Sequence, residues 1–281
     1  MAALWVQLFY SASYNWQYGE YYDYGWYVPP LAVWFFYRKW SGWETLSRPP
    51  PPEWVFAGWL VVLALALAGL RTLGHADPAW TLPQWGQAGI ACLITGFIVL
   101  RRAGKSALPG LVPVLLFALT AVRLPTEIET ALVDGLTHGV LEASGWIFRL
   151  FGRPVTVLGN QLEMMGEVVE VTEGCSGIRS IQSFLMVSLF LGEWMALKVL
   201  PRVAMVGVGL ITAWLTNVAR ATFLAWFRFD EGQSAFDRFH DTAGMAAYLV
   251  GAGVMIWVSA RMDSERGTGR VVRKTLAVTR V

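Results

Sequence analysis

The sequence predicts an all-α polytopic membrane protein, with about eight transmembrane helices, an interfacial amphipathic helix and a short extracytoplasmic hairpin. Three observations carry this expectation. Hydrophobic residues make up 55% of the 281-residue chain and charged residues only 15%, against about a quarter charged in soluble domains. Apolar runs approaching the roughly 20 residues that a spanning helix needs recur along the chain. Basic residues gather in alternate loops between those runs, the bias that orients membrane helices. The 15 tryptophans and 15 phenylalanines agree, because aromatic side chains concentrate at membrane interfaces. A net charge of +2 makes no strong basic surface, and no nucleic-acid partner is expected.

The first expected span, residues 2–16, has no basic residue ahead of its apolar part. A cleaved signal peptide needs a positive leading segment, so a first membrane anchor is expected. The second span, residues 26–40, is likewise short and aromatic. Pro49 to Pro52 form a stiff break before a third span at 54–71. Pro78, Pro83 and Pro109 stand at or near the starts of the fourth span, 84–100, and the fifth, 107–123, where proline suits the first helical turn. Residues 126–150 differ, setting Glu127, Glu129, Asp134, His138, Glu142 and Arg149 among Leu, Val, Ile and Trp. That mixture predicts an amphipathic helix at the interface rather than a lipid-exposed span. Val155 and Val157 alternate, Gly159-Asn160 offers a tight turn, and Val169 and Val171 flank Glu170. Residues 153–173 therefore read as a small hairpin or extended loop outside the bilayer. Spans at 175–197, 203–227 and 242–260 follow, with Pro201 near the start of the middle one. One membrane-embedded domain is expected over 1–281: N-terminal spans in 1–123, a core bearing the polar motifs in 124–260, and a basic cytoplasmic tail in 261–281.

Arg38, Lys39 and Arg48 follow the second span, Arg101, Arg102 and Lys105 the fourth, and Lys198 and Arg202 the sixth. The last span is followed by Arg261, Arg266, Arg270, Arg273, Lys274 and Arg280. These loops are expected in the cytoplasm, with both termini. The stretches 74–82, 125–174 and 228–240 then fall outside.

Two cysteines are too few for a disulfide scaffold. Cys92, within Ile90-Ala91-Cys92-Leu93-Ile94, reads as a small buried hydrophobe. The three histidines, His75, His138 and His240, stand far apart without metal-ligand spacing, and no metal or cofactor is expected. Cys175 lies in Glu173-Gly174-Cys175-Ser176-Gly177, where an external loop enters an apolar helix. The positive end of a helix dipole favours a thiolate there, and flanking glycines leave room for a substrate backbone. Asn217 and Arg220, three apart, share a helix face within an apolar span. An arginine at such depth faces a partner or an aqueous cavity and marks function. His240 and Asp241 open the last span, on the same expected side. A thiol, an imidazole and a guanidinium suffice for acyl transfer. His240 would accept the thiol proton, Cys175 would attack a carbonyl, and Arg220 would stabilise the oxyanion or orient Cys175 or the substrate. Ser176 and Asn217 are supporting positions. Arg179, one turn after Cys175, either contacts substrate or pairs with Glu173.

The ordered set Glu173-Gly174-Cys175-Ser176-Gly177, Asn217-x-x-Arg220 and His240-Asp241-x-x-Gly244 resembles the exosortase/archaeosortase family over roughly residues 120–260. The Trp16 to Arg38 region is similar more weakly. Cys-Ser-Gly alone is a weak signal, whereas three motifs in order on three apolar segments are specific. The resemblance implies a membrane cysteine peptidase or transpeptidase at the outer face of the cytoplasmic membrane. It implies a C-terminal sorting signal on exported, membrane-anchored proteins as partner: a short motif of PEP-CTERM type, a transmembrane helix and a basic cluster. The lipid bilayer and an acceptor nucleophile of unknown identity are the other implied partners. Cys175 then matches the family's nucleophile, and Arg220 and His240 its two other catalytic positions. Archaeal members commonly carry Arg at the third position, so His240 sets the chain nearer the bacterial exosortases. Tyr10 to Tyr27 reads as an interfacial aromatic belt, or alternatively as a groove for the signal. The same polar residues also suit a small transporter or channel with a polar path around Arg220, or a non-catalytic scaffold.

Overall fold

The computed structural model describes residues 1–19, 21–43, 53–77, 79–170 and 176–278. Within them the chain is helical, interrupted by one small sheet, and it divides into two compact units, Met1–Glu129 and Thr130–Val281. The first unit contains α1 (Ala2–Tyr18), α2 (Val28–Gly42), α3 (Glu53–Ala76), α4 (Thr81–Ala103), α5 (Leu108–Leu119) and the first residues of α6 (Thr126–Leu150). The second contains the rest of α6, strands β1 (Thr156–Leu158), β2 (Gln161–Met164) and β3 (Glu167–Glu170), and helices α7 (Ile178–Trp194), α8 (Val199–Glu231) and α9 (Gln233–Val278).

Each expected span is helical, but only three helices among the described residues are long and apolar enough to cross a membrane: Thr81–Ala103, Val199–Glu231 and Gln233–Met262. At 17 residues, α1 and α7 are each about 26 Å long, somewhat less than the ~30 Å hydrocarbon core. α5 ends at Leu119 rather than near residue 123. The N–H groups of Thr120, Ala121 and Val122 instead bond three residues back, to Phe117, Ala118 and Leu119, tightening the last turn. The carbonyls beyond it are taken by aromatic donors: Tyr24 Oη donates to Thr120 O at 3.0 Å and Trp16 Nε1 to Ala121 O at 2.7 Å.

Aromatic packing and single polar contacts hold the first unit together. Trp5 Nε1 donates to Thr95 Oγ1 at 2.9 Å and Asn15 Nδ2 to Gln84 Oε1 at 3.2 Å, both joining α1 to α4. Phe35 of α2 meets Phe117 of α5 edge-on at 5.4 Å. Trp16 lies so close to Gly25 that any Cβ there would run into the indole. The helix ends expected outside meet in a polar knot. Arg123 Nη2 bonds Glu129 Oε1 at 2.7 Å, Tyr22 Oη donates to Glu129 Oε2 at 2.8 Å, and Leu124 N donates to Tyr22 Oη at 3.0 Å. Burial pushes the Tyr22 phenol well above its ordinary pKa, and the adjacent carboxylate acts in the same direction, so Tyr22 remains a donor. At the opposite end, Arg102 lies 4.0 Å from the centre of the Trp40 ring, over a cluster of Val99, Ala103, Ala107 and Leu111.

In the second unit, α6 buries Val133, Thr137, Val140, Leu141, Ser144 and Phe148, a stripe at helical spacing. Its other face exposes Glu127, Asp134, His138 and Arg149, and the helix is not among the three able to cross a membrane. The segment expected as a hairpin or loop is a three-stranded antiparallel meander of order β1-β2-β3. The second turn, which the expectation lacked, falls at Met165-Gly166, both with positive φ. Val155, Leu162 and Val169 face Leu141, Phe148 and Ala225 in one core. Arg153 grips Asp230 at 2.6 and 2.9 Å, and Arg228 reaches Glu167 at 3.5 Å, tying the sheet region to the end of α8. At the other end of the bundle, buried Glu193 pairs with Arg202 at 3.1 Å across the α7–α8 turn.

The polar knot generates a test. Glu129→Ala strands the Arg123 charge and two hydrogen-bond partners. We expect about 2–3 kcal/mol of destabilisation, toward the low side for a broken buried pair because Arg123 keeps 29% exposure. Glu129→Gln, which still accepts from Tyr22, should cost less. Thermal unfolding of the detergent-purified variants measures both.

Candidate active site

Glu173 and Cys175 lie outside the described residues; the chain is described on both sides of them. Ser176 is buried, and its Oγ accepts the Ile178 N–H at 3.3 Å, two residues ahead, where α7 begins. Gly177 precedes the helix at φ 85°, ψ 7°, a left-handed conformation that only glycine adopts without penalty. It also lies directly against Asn217: a Cβ at Gly177 would come within 2.6 Å of Asn217 Nδ2 and 2.7 Å of its Cγ. Asn217 is 3% exposed. The first and second motifs are therefore in van der Waals contact through a residue that has no side chain.

One turn further along α8, Arg220 reaches α9. Its Nη2 lies 3.1 Å from His240 Nε2. A guanidinium has no acceptor, so Arg220 donates and Nε2 carries a lone pair. The ring proton then resides on Nδ1, 3.1 Å from Asp241 Oδ1. The geometry fits the Nδ1–H tautomer of His240, held between a cation and a carboxylate. His240 is 39% exposed and Asp241 fully exposed. Arg220 is half-buried, and its Nε is buried without a hydrogen-bond partner. Gly244, one turn after His240, makes room: a Cβ there would touch Arg220 Nε at 3.6 Å. The second and third motifs are thus joined as the first and second are.

The same device recurs through this bundle. A Cβ on Gly209 of α8 would collide with Ser188 of α7, and one on Gly251 of α9 with the Phe184 ring. Small residues at crossings let membrane helices approach closely, and here they bring α7, α8 and α9 together on the polar positions. Arg179 is exposed on the first turn of α7; its relation to Glu173 lies outside the described residues.

Residues 16–257 match the sequence model of the family described as "Transmembrane exosortase". The chain belongs to that family. It is a membrane protein, and the match spans both compact units as well as all three motifs. No curated protein and no solved structure matches the chain.

Two features go beyond what the sequence indicated. Gly177, expected to leave room for a substrate backbone, is packed against Asn217, and Gly244 lies against Arg220. Phe223, Phe227 and Phe239 form a cluster with ring centres 4.7–6.0 Å apart beside Arg220 and His240. The spacing of Arg220, Phe223 and Phe227 along one helix face was a usable signal, obscured by the many other aromatic residues.

Gly177→Ala should destabilise the protein by roughly 1–3 kcal/mol, from a positive φ and from overlap with Asn217. Adding Asn217→Ala should recover the steric part and leave the backbone part. A double-mutant cycle of thermal unfolding reads this as a coupling of at least about 0.5 kcal/mol; simple additivity would mean the two side chains do not meet.

Proposed function

We propose that the chain is a membrane-embedded cysteine peptidase or transpeptidase that cleaves the C-terminal sorting signal of exported proteins at the outer face of the bacterial cytoplasmic membrane. The observation that carries this reading is the Arg220–His240 hydrogen bond, made one turn from an asparagine seated on Gly177. Cys175 is two residues before Gly177, and two residues of chain span at most about 7 Å. Both flanks of its segment also bear on α8, Gly177 through Asn217 and β3 through Glu167 and Arg228.

In the proposed reaction, the Cys175 thiol passes its proton to His240 Nε2, and the sulfur attacks the carbonyl carbon of the scissile peptide bond. Arg220 stabilises the oxyanion. The tetrahedral intermediate collapses, the C–N bond breaks, and the leaving amine takes the proton from His240. An S-acyl enzyme remains. An acceptor nucleophile, or water, attacks the thioester, releases the product and returns the proton to sulfur through His240. Asp241 holds the tautomer that leaves Nε2 basic. The reading includes eight membrane crossings with both termini in the cytoplasm, supported by the alternation of basic loops. It also includes a substrate signal made of a short motif, a transmembrane helix and a basic cluster.

Co-expression with a membrane protein bearing such a signal tests the reading. Cys175→Ala should abolish cleavage while the variant stays in the membrane, and Arg220→Ala should slow it by about 10²–10³-fold. Mass spectrometry should find a hydroxylamine-labile substrate adduct on Cys175. Normal processing by Cys175→Ala would overturn the proposal.

A further inference from the structure

A cavity of about 460 Å³ lies wholly within the first unit, between α1, α3 and α4. Nothing in the proposed reaction uses it. Its size is that of a small-ligand site, but its lining is unusually polar for helices of this composition. Gln7, Ser11, Gln84 and Gln87 contribute amides and a hydroxyl, Arg71 a guanidinium and His75 an imidazole. No carboxylate among the described residues lines it. Gln84 and Gln87 are 3% and 4% exposed. Asn15 donates to Gln84 Oε1 at 3.2 Å, which fixes how that amide is turned. Ser11 Oγ is buried without a hydrogen-bond partner.

Arg71 decides the ligand's charge. It is exposed in the last turns of α3, and among the described residues it makes no ion pair or hydrogen bond. A cation at the mouth of an amide- and hydroxyl-lined cavity, with no acid opposite, calls for an anionic ligand carrying hydroxyls. The tyrosines of α1 decide its level. Tyr10, Tyr14 and Tyr18 line the cavity and are 78%, 43% and 66% exposed, and tyrosine of this kind sits at the depth of lipid head groups. The charge rule sets these ends of α1, α3 and α4 outside.

We propose that this cavity binds a phosphate ester with adjacent hydroxyls, the chemistry shared by an anionic phospholipid head group and a soluble polyol phosphate. Arg71 takes the phosphate through charge-assisted hydrogen bonds. Gln7, Ser11 and Gln87 meet the hydroxyls.

Native mass spectrometry of the delipidated full-length protein tests this with three probes: phosphatidylglycerol, phosphatidylcholine and glycerol 3-phosphate. Phosphatidylglycerol should bind at least tenfold more tightly than phosphatidylcholine. Arg71→Gln should remove that preference, whereas Arg149→Gln, an exposed arginine of the second unit, should keep it. Arg71 is exposed, so its loss does not endanger folding. Gln87→Leu provides a second, uncharged perturbation and should weaken phosphatidylglycerol without restoring phosphatidylcholine. Competition by glycerol 3-phosphate would show that the head group alone suffices; binding of the lipid only would assign the site to the membrane. Equal binding of both lipids, or an Arg71→Gln variant indistinguishable from Arg149→Gln, would overturn the proposal. Binding is read without any processing step, so the result stands apart from the peptidase reading.

Discussion

A guanidinium inside an apolar helix organises the second unit. Arg220 cannot face lipid without a large penalty, and the helices around it are arranged so that it does not have to. α9 presents His240 as acceptor and Gly244 as a gap, one turn apart. α7 begins at a glycine pressed on Asn217, one turn below Arg220. The tightest crossings fall at glycines: a Cβ at Gly177 would overlap Asn217 and one at Gly251 would overlap Phe184, whereas one at Gly244 would only touch Arg220. Close approach and polar pairing are therefore linked: the helices must come together for the charge to be satisfied, and glycine permits the closest of those approaches.

Much of this was legible in the sequence, and the gaps have physical reasons. Apolar runs located the helices expected as spans, because burial in lipid or protein demands them, and the mixture of charged and apolar residues over 126–150 located α6. The same runs misjudged the helix ends. α8 was expected over 203–227 but runs Val199–Glu231, and α9 was expected from 242 but begins at Gln233. Hydropathy reports where a helix leaves the apolar layer, whereas helical hydrogen bonding continues into polar sequence. His240 accordingly lies about two turns inside α9 rather than before it. The alternation at Val155 and Val157 and at Val169 marked the outer strands, but the middle strand, Gln161–Met164, and the turn after it were missed. Met164-Met165-Gly166 carries no Asn or Asp to announce a turn, although Gly166 at φ 84° makes one. The sequence set Arg220 and His240 on one side and expected them to work together, and their hydrogen bond joins the second and third motifs. The packing of Gly177 on Asn217, which joins the first to the second, involves a residue with no side-chain chemistry to notice.

The two units solve the problem of polar groups in an apolar fold differently. In the first, Glu129 collects Arg123 and Tyr22 into a closed set, with the phenol held as a donor by burial. Such a set is structural, because its donors and acceptors answer one another. In the second, the Arg220–His240–Asp241 chain is open at both ends. Arg220 Nε has no partner, and Asp241 is fully exposed. An incomplete network of this kind is where a ligand can complete the bonding.

That openness fixes an order of events in the proposed reaction. In the resting arrangement the His240 Nε2 lone pair is engaged by Arg220, so His240 cannot yet accept the Cys175 proton. The guanidinium must move first, and a substrate carbonyl gives it a destination. A hydrogen bond to an oxygen gaining negative charge is roughly twice as strong as one to a neutral acceptor, so Arg220 gains by leaving the imidazole as attack proceeds. Once His240 has taken the proton, it and Arg220 are like charges, which favours the guanidinium's move to the oxyanion. Each change reinforces the next, so base and oxyanion partner are released together and only when a carbonyl is present. Without a bound carbonyl, the base of the proposed reaction stays occupied.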